Sequence, residues 1–197
     1  MKYVLFFLIA VSLVFMGTGV FASEDCSRIL LFNGKNLDGW TLYQCEAKAD
    51  GEDLLIESGN GMVQSAEQYG DFIWEFEWKA LAEDDWDSGF YFRYTEIPEG
   101  APWPPRYQAN LRKGLEGNVS ELKGASSTGL IKERGWNQFK LTVQGTKAAL
   151  EINGKPAWEA EGLEGPEKGY VAFQAEVPGG GKHRFRNVYL TPLDKKD

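Results

Sequence analysis

Hydrophobic and polar positions alternate with a period of two along much of this chain. Phe72, Trp74, Phe76 and Trp78 alternate with Ile73, Glu75 and Glu77, the pattern of a strand with one buried face. The same alternation runs through Phe139-Lys140-Leu141-Thr142-Val143 and resumes at Leu150-Glu151-Ile152. Asn153-Gly154 then supplies a hairpin turn, because both residues tolerate positive φ. Val171-Ala172-Phe173-Gln174 and Phe185-Arg186-Asn187-Val188-Tyr189-Leu190 read as further short strands. No stretch carries the 3.6-residue period of a long helix. Short strands separated by Gly, Pro and acidic turns, with 14% aromatic residues and 23 glycines, predict an all-β fold: a two-sheet antiparallel jelly-roll sandwich.

The N-terminus departs from this pattern. Lys2 precedes an apolar run from Val4 to Met16, and Val20-Phe21-Ala22-Ser23 offers a cleavage site. This predicts a signal peptide over 1–22 and a single exported domain, periplasmic or extracellular, over 23–197. The alternative is a retained anchor. It would have to use the 19 residues from Tyr3 to Phe21, interrupted by Gly17, Thr18 and Gly19, which is short for a spanning helix. No later apolar stretch is long enough to cross a bilayer. Formal net charge is −8, and −9 once Lys2 is removed, which argues against nucleic acid as a partner. Cys26 and Cys45 both fall in the mature part with 18 residues between them. Export would favour a disulfide between them, contributing on the order of 3 kcal/mol by loop entropy. With a single histidine and no C-x-x-C, a His/Cys zinc site is not expected.

Strand parity selects the candidate chemistry. In Gly89-Phe90-Tyr91-Phe92-Arg93, Phe90 and Phe92 share one face and Tyr91 and Arg93 the other. In Arg106-Tyr107-Gln108-Ala109-Asn110-Leu111, Arg106, Gln108 and Asn110 share a face; in the later strand Gln174 and Glu176 do. If the Phe residues face the core, polar groups from three strands gather on one outer face. Planar amides and guanidinium groups suit sugar hydroxyls, and Trp103, in the proline-dense loop Glu96 to Pro105, offers a stacking surface. A single polar residue on such a face is equally the ordinary solvated side of an antiparallel sheet. The run Glu83-Asp84-Asp85-Trp86-Asp87 could offer oxygens to a divalent cation, or could be a solvated turn. His183, in the basic segment Gly180 to Arg184, reads as an exposed histidine without a role.

Leu31-Phe32-Asn33-Gly34-Lys35-Asn36-Leu37-Asp38-Gly39-Trp40 resembles the opening signature of the 3-keto-disaccharide hydrolase family, also described as 3-keto-glucoside 1,2-lyase or 3-keto-2-hydroxy-glucal hydratase. Tyr69-Gly70-Asp71-Phe72, Ser88 to Arg93, Gly135-Trp136-Asn137, Ile152-Asn153-Gly154 and Phe185-Arg186-Asn187 follow in the family's order, so the resemblance spans 30–193. It implies a concanavalin A-like sandwich of the lectin/glucanase type acting on glycosides oxidised at C3, where the ketone acidifies the C2 proton and permits elimination of the aglycone. A divalent cation could assist such enolate chemistry. Arg93, Gln108 and Gln174 match family positions. Arg106 stands where the family has an acidic residue, and Glu176 where it has a histidine. The enzyme reading uses Glu176 as base and Arg93 as oxyanion stabiliser, with Gln108, Asn110, Gln174, Arg106, Trp103 and Tyr91 holding the sugar. The alternative is a non-catalytic carbohydrate-binding module on the same face, with Trp103 stacking on the ligand.

Overall fold

The computed structural model describes residues 28–193; the predicted signal segment, Cys26 and the tail from Asp194 lie outside the described residues. All regular structure within them is β. The strands are β1 (Ile29–Leu30), β2 (Trp40–Asp50), β3 (Asp53–Ser65), β4 (Phe72–Ala80), β5 (Gly89–Tyr94), β6 (Gln108–Asn110), β7 (Asn137–Gln144), β8 (Lys147–Ile152), β9 (Lys155–Glu161), β10 (Tyr170–Val177) and β11 (His183–Pro192).

Every pairing is antiparallel, in the order β6-β5-β10-β3-β11-β4-β7-β8-β9. One long strand turns this continuous ladder into a sandwich. β3 pairs with β10 through Gly59–Gln64 and with β11 through Leu54–Ile56, so its two halves belong to two layers. β2 follows β3 along its other edge, with register shifts at Tyr43/Cys45 and Glu46/Ala47. The front layer is then β6-β5-β10-β3-β2, and the back layer β3-β11-β4-β7-β8-β9 with β1 on β11.

The alternation read from sequence fills the space between the layers. Phe72, Trp74, Phe76 and Trp78 of β4 are all buried, and Trp74 and Phe76 meet the inward rings of the front layer, Phe90 and Phe173. Phe76 lies edge-on to Phe90 and to Phe173, each at 5.1 Å, and Phe173 stacks on Phe185 at 3.9 Å. Offset and edge-to-face pairs of this kind add about 0.5–1.5 kcal/mol each beyond the burial of their area. The predicted hairpin joins β8 to β9, with Asn153 and Gly154 both at positive φ.

Two sequence expectations and one pair of strand glycines meet the structure here. His183 is not exposed: it opens β11 opposite Ile56 and Ala80 and is 2% accessible. Its ring lies 6.1 Å from that of Trp78, because the preceding glycines fold the segment back over the core. Gly59 and Gly61 run inside β3. A Cβ on Gly61 would lie 1.9 Å from the Tyr43 carbonyl oxygen, and one on Gly59 2.4 Å from that of Gln44, so these glycines let the β2 backbone approach closely where the ribbon bends. Cys45 is half-buried on β2, its thiol donating to the Met62 carbonyl at 3.3 Å. Its expected partner, Cys26, is outside the described residues.

Candidate functional site

The outer face of the front layer is built from alternate residues of β3, β5, β6 and β10. Near its middle it is apolar: Met62, Tyr91, Tyr94 and Ala172 are buried there, with Tyr43, Ile97, Trp103 and Tyr170 packed against them. The proline-dense loop folds back over this patch and is tied down by Tyr43, whose hydroxyl donates to the Ala101 carbonyl at 3.1 Å. Trp103 is therefore half-buried against the patch rather than projecting freely.

Beside that patch runs a file of polar groups. Gln108 Nε2 donates to Gln174 Oε1 at 2.5 Å, and Gln174 Nε2 donates to Glu176 Oε2 at 2.9 Å. The direction of the file is fixed by its carboxylate end, since an ionised carboxylate only accepts. Gln108 consequently keeps its Oε1 and one N–H for a ligand. Gly89 opens the space for this arrangement: a Cβ there would meet Gln108 Nε2 at 2.5 Å and Gln174 Oε1 at 2.8 Å. Ser88 anchors the same strand by donating to the Gln174 carbonyl at 2.8 Å. Asn110 is half-buried at the start of the β5–β6 register, opposite Gly89.

Burial raises the Glu176 carboxyl above the ordinary glutamate value, and the Asp87 carboxylate raises it further, while Arg112 pulls the other way. Asp87 is likewise raised by burial, against the nearby Arg112, whose Nε lies 3.6 Å from Asp87 Oδ2. Burial also pushes the Tyr91 phenol far above its usual value, and Glu121, Glu176 and Asp87 reinforce this. Tyr91 is thus a neutral hydroxyl, able to donate, at any working pH.

The structure brings together Gln108, Gln174, Glu176 and Tyr91, with Asn110 and Trp103 at the margins. It does not bring Arg93 or Arg106 to them. Across β10, Tyr170 pairs with Tyr94 and Val171 with Phe92, so Arg93, at φ 60°, is the extra residue of a β-bulge. The bulge resets parity: Tyr94 takes the outer position beside Tyr91, and Arg93 turns away. Its guanidinium donates to the Pro166 carbonyl at 3.0 Å and the Gly145 carbonyl at 2.7 Å, and reaches Asp71 Oδ1 at 3.4 Å. Arg106 precedes β6 rather than lying on it and pairs with Glu164 at 3.1 Å. Two further residues of the face escaped the sequence reading, Tyr94 and Gln64, whose side chains bond at 2.9 Å. Tyr94 is hidden by the bulge, and Gln64 by the unread second half of β3.

A divalent cation finds a poor donor set here. Among the described residues no group of three or more His, Cys, Asp or Glu side chains gathers at one point, and Arg112 already occupies one side of Asp87. Of the acidic run, only Asp87 approaches the file; Asp84, Asp85 and Glu83 are exposed.

The profile of the family described as the 3-keto-alpha-glucoside-1,2-lyase-like domain matches residues 27–191. Among solved structures, a protein of Parabacteroides distasonis ATCC 8503 provisionally assigned as a glycosyl hydrolase superposes with a TM-score of 0.69 at 22% identity, covering 89% of this chain and 99% of that one. The carbohydrate-binding module CBM66 of Bacillus subtilis superposes at 0.58 and 15% identity, covering 78% and 95%. A Bacillus subtilis protein of unknown function with a galectin-like fold superposes at 0.56 and 13%, covering 83% and 94%. These likenesses establish the jelly-roll fold. Among curated proteins none matches the chain.

Proposed function

The chain belongs to the family of 3-keto-alpha-glucoside-1,2-lyase-like domains, and from that premise we propose that it is an exported carbohydrate-active enzyme that takes 3-keto-glycosides on the outer face of its front sheet. The observation that carries this reading is the file Gln108, Gln174, Glu176, which ends in a half-buried carboxylate of raised proton affinity. A general base works best when its pKa is drawn toward the working pH, and burial beside a second carboxylate does this for Glu176.

The C3 ketone of the substrate acidifies the C2 proton. Glu176 takes that proton, the C–H electron pair passes into the enolate, and the enolate collapses to expel the C1 oxygen. Glu176 returns the proton to that oxygen, which leaves as an alcohol, and the sugar becomes a 1,2-unsaturated ketone. Water added across the new double bond then gives the free 3-keto sugar. Negative charge builds on the C3 oxygen in the first step. Donors aimed at developing charge are worth most in a desolvated site; the Tyr91 hydroxyl and the free N–H of Gln108 are the candidates, in place of Arg93. Asn110 holds the sugar, and Trp103 lines the apolar margin.

One observation favours a binding-only alternative. Arg106, at the position where the family resemblance calls for an acidic residue, pairs with Glu164 and does not reach Gln108. Turnover of a 3-keto-glucoside by the chain from Ser23 separates the two readings. The enzyme reading expects product, with Glu176→Gln lowering kcat about a hundredfold at little change in affinity. Saturable binding without product would instead establish the module.

A further inference from the structure

Glu176 has a neighbour across the sheet that the polar file does not include. In the β3–β10 ladder Glu176 pairs directly with Asn60, Gln174 with Met62 and Ala172 with Gln64. Met62 and Ala172 belong to the outer apolar patch, whereas Val63 and Phe173, each one residue further along, belong to the core between the layers. Alternation therefore places Asn60 and Glu176 on the same outer face. Side chains directly opposed on one face have Cβ atoms about 4.5–5.5 Å apart, so the exposed Asn60 amide stands beside the carboxylate.

The polar side chains around this pair are committed elsewhere. Ser58 donates to Glu46 Oε2 at 2.7 Å, Gln64 accepts from the Tyr94 hydroxyl at 2.9 Å, and Gln174 donates to Glu176 Oε2 at 2.9 Å. Among the described residues neither the Asn60 amide nor Glu176 Oε1 has a hydrogen-bond partner. Asparagine is disfavoured inside a strand, and here Gly59 and Gly61 flank it. The glycines have a structural reason, since a Cβ on either would strike the β2 backbone. The asparagine makes no contact that offsets its cost, and proteins break local rules in this way chiefly at functional positions.

In the reaction proposed above Glu176 acts at C2. The donors assigned to the C3 oxygen, Tyr91 and Gln108, come from β5 and β6 on one side of β10, and Asn60 comes from β3 on the other. C1 and C3 flank C2 in the ring, so a sugar held with its C3 oxygen toward β5 turns its C1 oxygen toward β3. We propose that Asn60 is a further substrate-binding residue whose Nδ2 donates a hydrogen bond to the C1 oxygen as the C1–O bond breaks. The amide shares the charge that develops on this oxygen until Glu176 returns the proton, and as a neutral donor it leaves the carboxylate ionised. The role rests on Glu176 being the base. It makes Asn60 a determinant of which aglycones leave: its contribution is largest for weakly acidic alcohols, sugars included, and smallest for phenols.

The test is turnover of methyl and phenyl 3-keto-glucoside by the native chain and by Asn60→Ala, Asn60→Ser and Glu176→Gln. Phenoxide departs with less help than methoxide. Asn60→Ala should therefore lower kcat at least about tenfold on the methyl glycoside and less than about threefold on the phenyl glycoside, as removal of a donor aimed at the leaving oxygen requires. Asn60→Ser, whose hydroxyl can still donate, should recover part of the loss on the methyl glycoside. Because the readout is a ratio between two substrates within one variant, a general loss of folded protein does not mimic it. With Glu176→Gln inactive, equal losses on the two substrates, a larger loss on the phenyl glycoside, or no loss at all overturns the role of Asn60 while Glu176 stands as the base. No turnover by the native chain, or turnover that Glu176→Gln leaves unimpaired, overturns the Glu176 reading and the role of Asn60 with it.

Discussion

Arg93→Ala lowers the stability of the protein by about 3–5 kcal/mol, the cost of removing one partner from a buried ion pair. The arginine closes the β5–β10 bulge and ties three turns together through Pro166, Gly145 and Asp71. Asp71 is itself part of this knot, accepting from the Gly145 N–H at 2.9 Å. Truncation would leave its carboxylate and two carbonyls short of a donor in a region where the arginine is 7% accessible. For a domain of this size about 2–4 °C is lost per kcal/mol, so thermal unfolding should begin at least about 6 °C lower. Arg93→Lys recovers part of this, since one ammonium cannot span the three acceptors that the guanidinium fork reaches. A side chain working as an oxyanion donor on the open face would behave oppositely. Its removal would leave the unfolding midpoint within the small range of surface substitutions and abolish turnover alone.

The second large effect is an acid limb of stability set by His183. Burial lowers the pKa of this ring from 6.5 to about 4, with the Gly181 carbonyl, 3.3 Å from Nδ1, opposing only weakly. Nε2 has no partner, so the neutral tautomer with its proton on Nδ1 satisfies the one carbonyl within reach. The unfolded chain binds a proton at about pH 6.5 and the folded chain does not until about pH 4. Stability contributed by this group is therefore complete above about pH 6.5 and is lost as pH falls toward 4, with a slope near 1.4 kcal/mol per unit and a total of about 3 kcal/mol. The raised carboxyls Glu176, Asp87 and Glu116 act in the opposite sense, favouring the fold where they are protonated. The histidine's own part is therefore read as the difference between the native chain and a variant without the ring. Urea unfolding between pH 7 and 4.5 should show this slope in the native chain and lose it in His183→Phe. An unchanged slope in the variant would place the acid sensitivity elsewhere.

The sequence was most informative where a strand keeps its parity between two neighbours of its own kind. β4, β7, β8 and β10 declare themselves in this way, because a residue facing the core of a sandwich is apolar at every second position without interruption, whereas β11 shifts its inward positions from Phe185 to Val188 at a bulge at Asn187. β2 and β3 do not. They bend from one layer into the other, and Gly59 and Gly61, which permit the bend, are the residues that elsewhere signal a turn. The candidate site shows the same division. Gln108, Gln174 and Glu176 lie on regular parts of β6 and β10, and alternation alone put them on one face. Arg93 carried an identical parity argument and was misdirected by one bulged residue, which no alternation pattern reveals. Arg106 failed for a related reason: β6 begins at Gln108, so two-residue spacing conveys nothing about the side chain before it. The placement of His183 depended on a fold-back at Gly180 and Gly181 that brings a basic segment against Trp78.

The central claim, that the sugar sits on the Gln108–Gln174–Glu176 file, is tested most directly by nuclear magnetic resonance of side-chain amides. Glu176→Gln protein labelled with 15N is titrated with methyl 3-keto-glucoside, and the glutamine and asparagine side-chain amide signals are followed. Gln108 and Gln174 should shift in a saturable way, with Asn110 following, while Gln138 and Asn187 on the outer side of the back sheet stay in place. Saturable shifts confined to Gln138 and Asn187, with Gln108 and Gln174 unmoved, would contradict it and move the site to the opposite face of the sandwich.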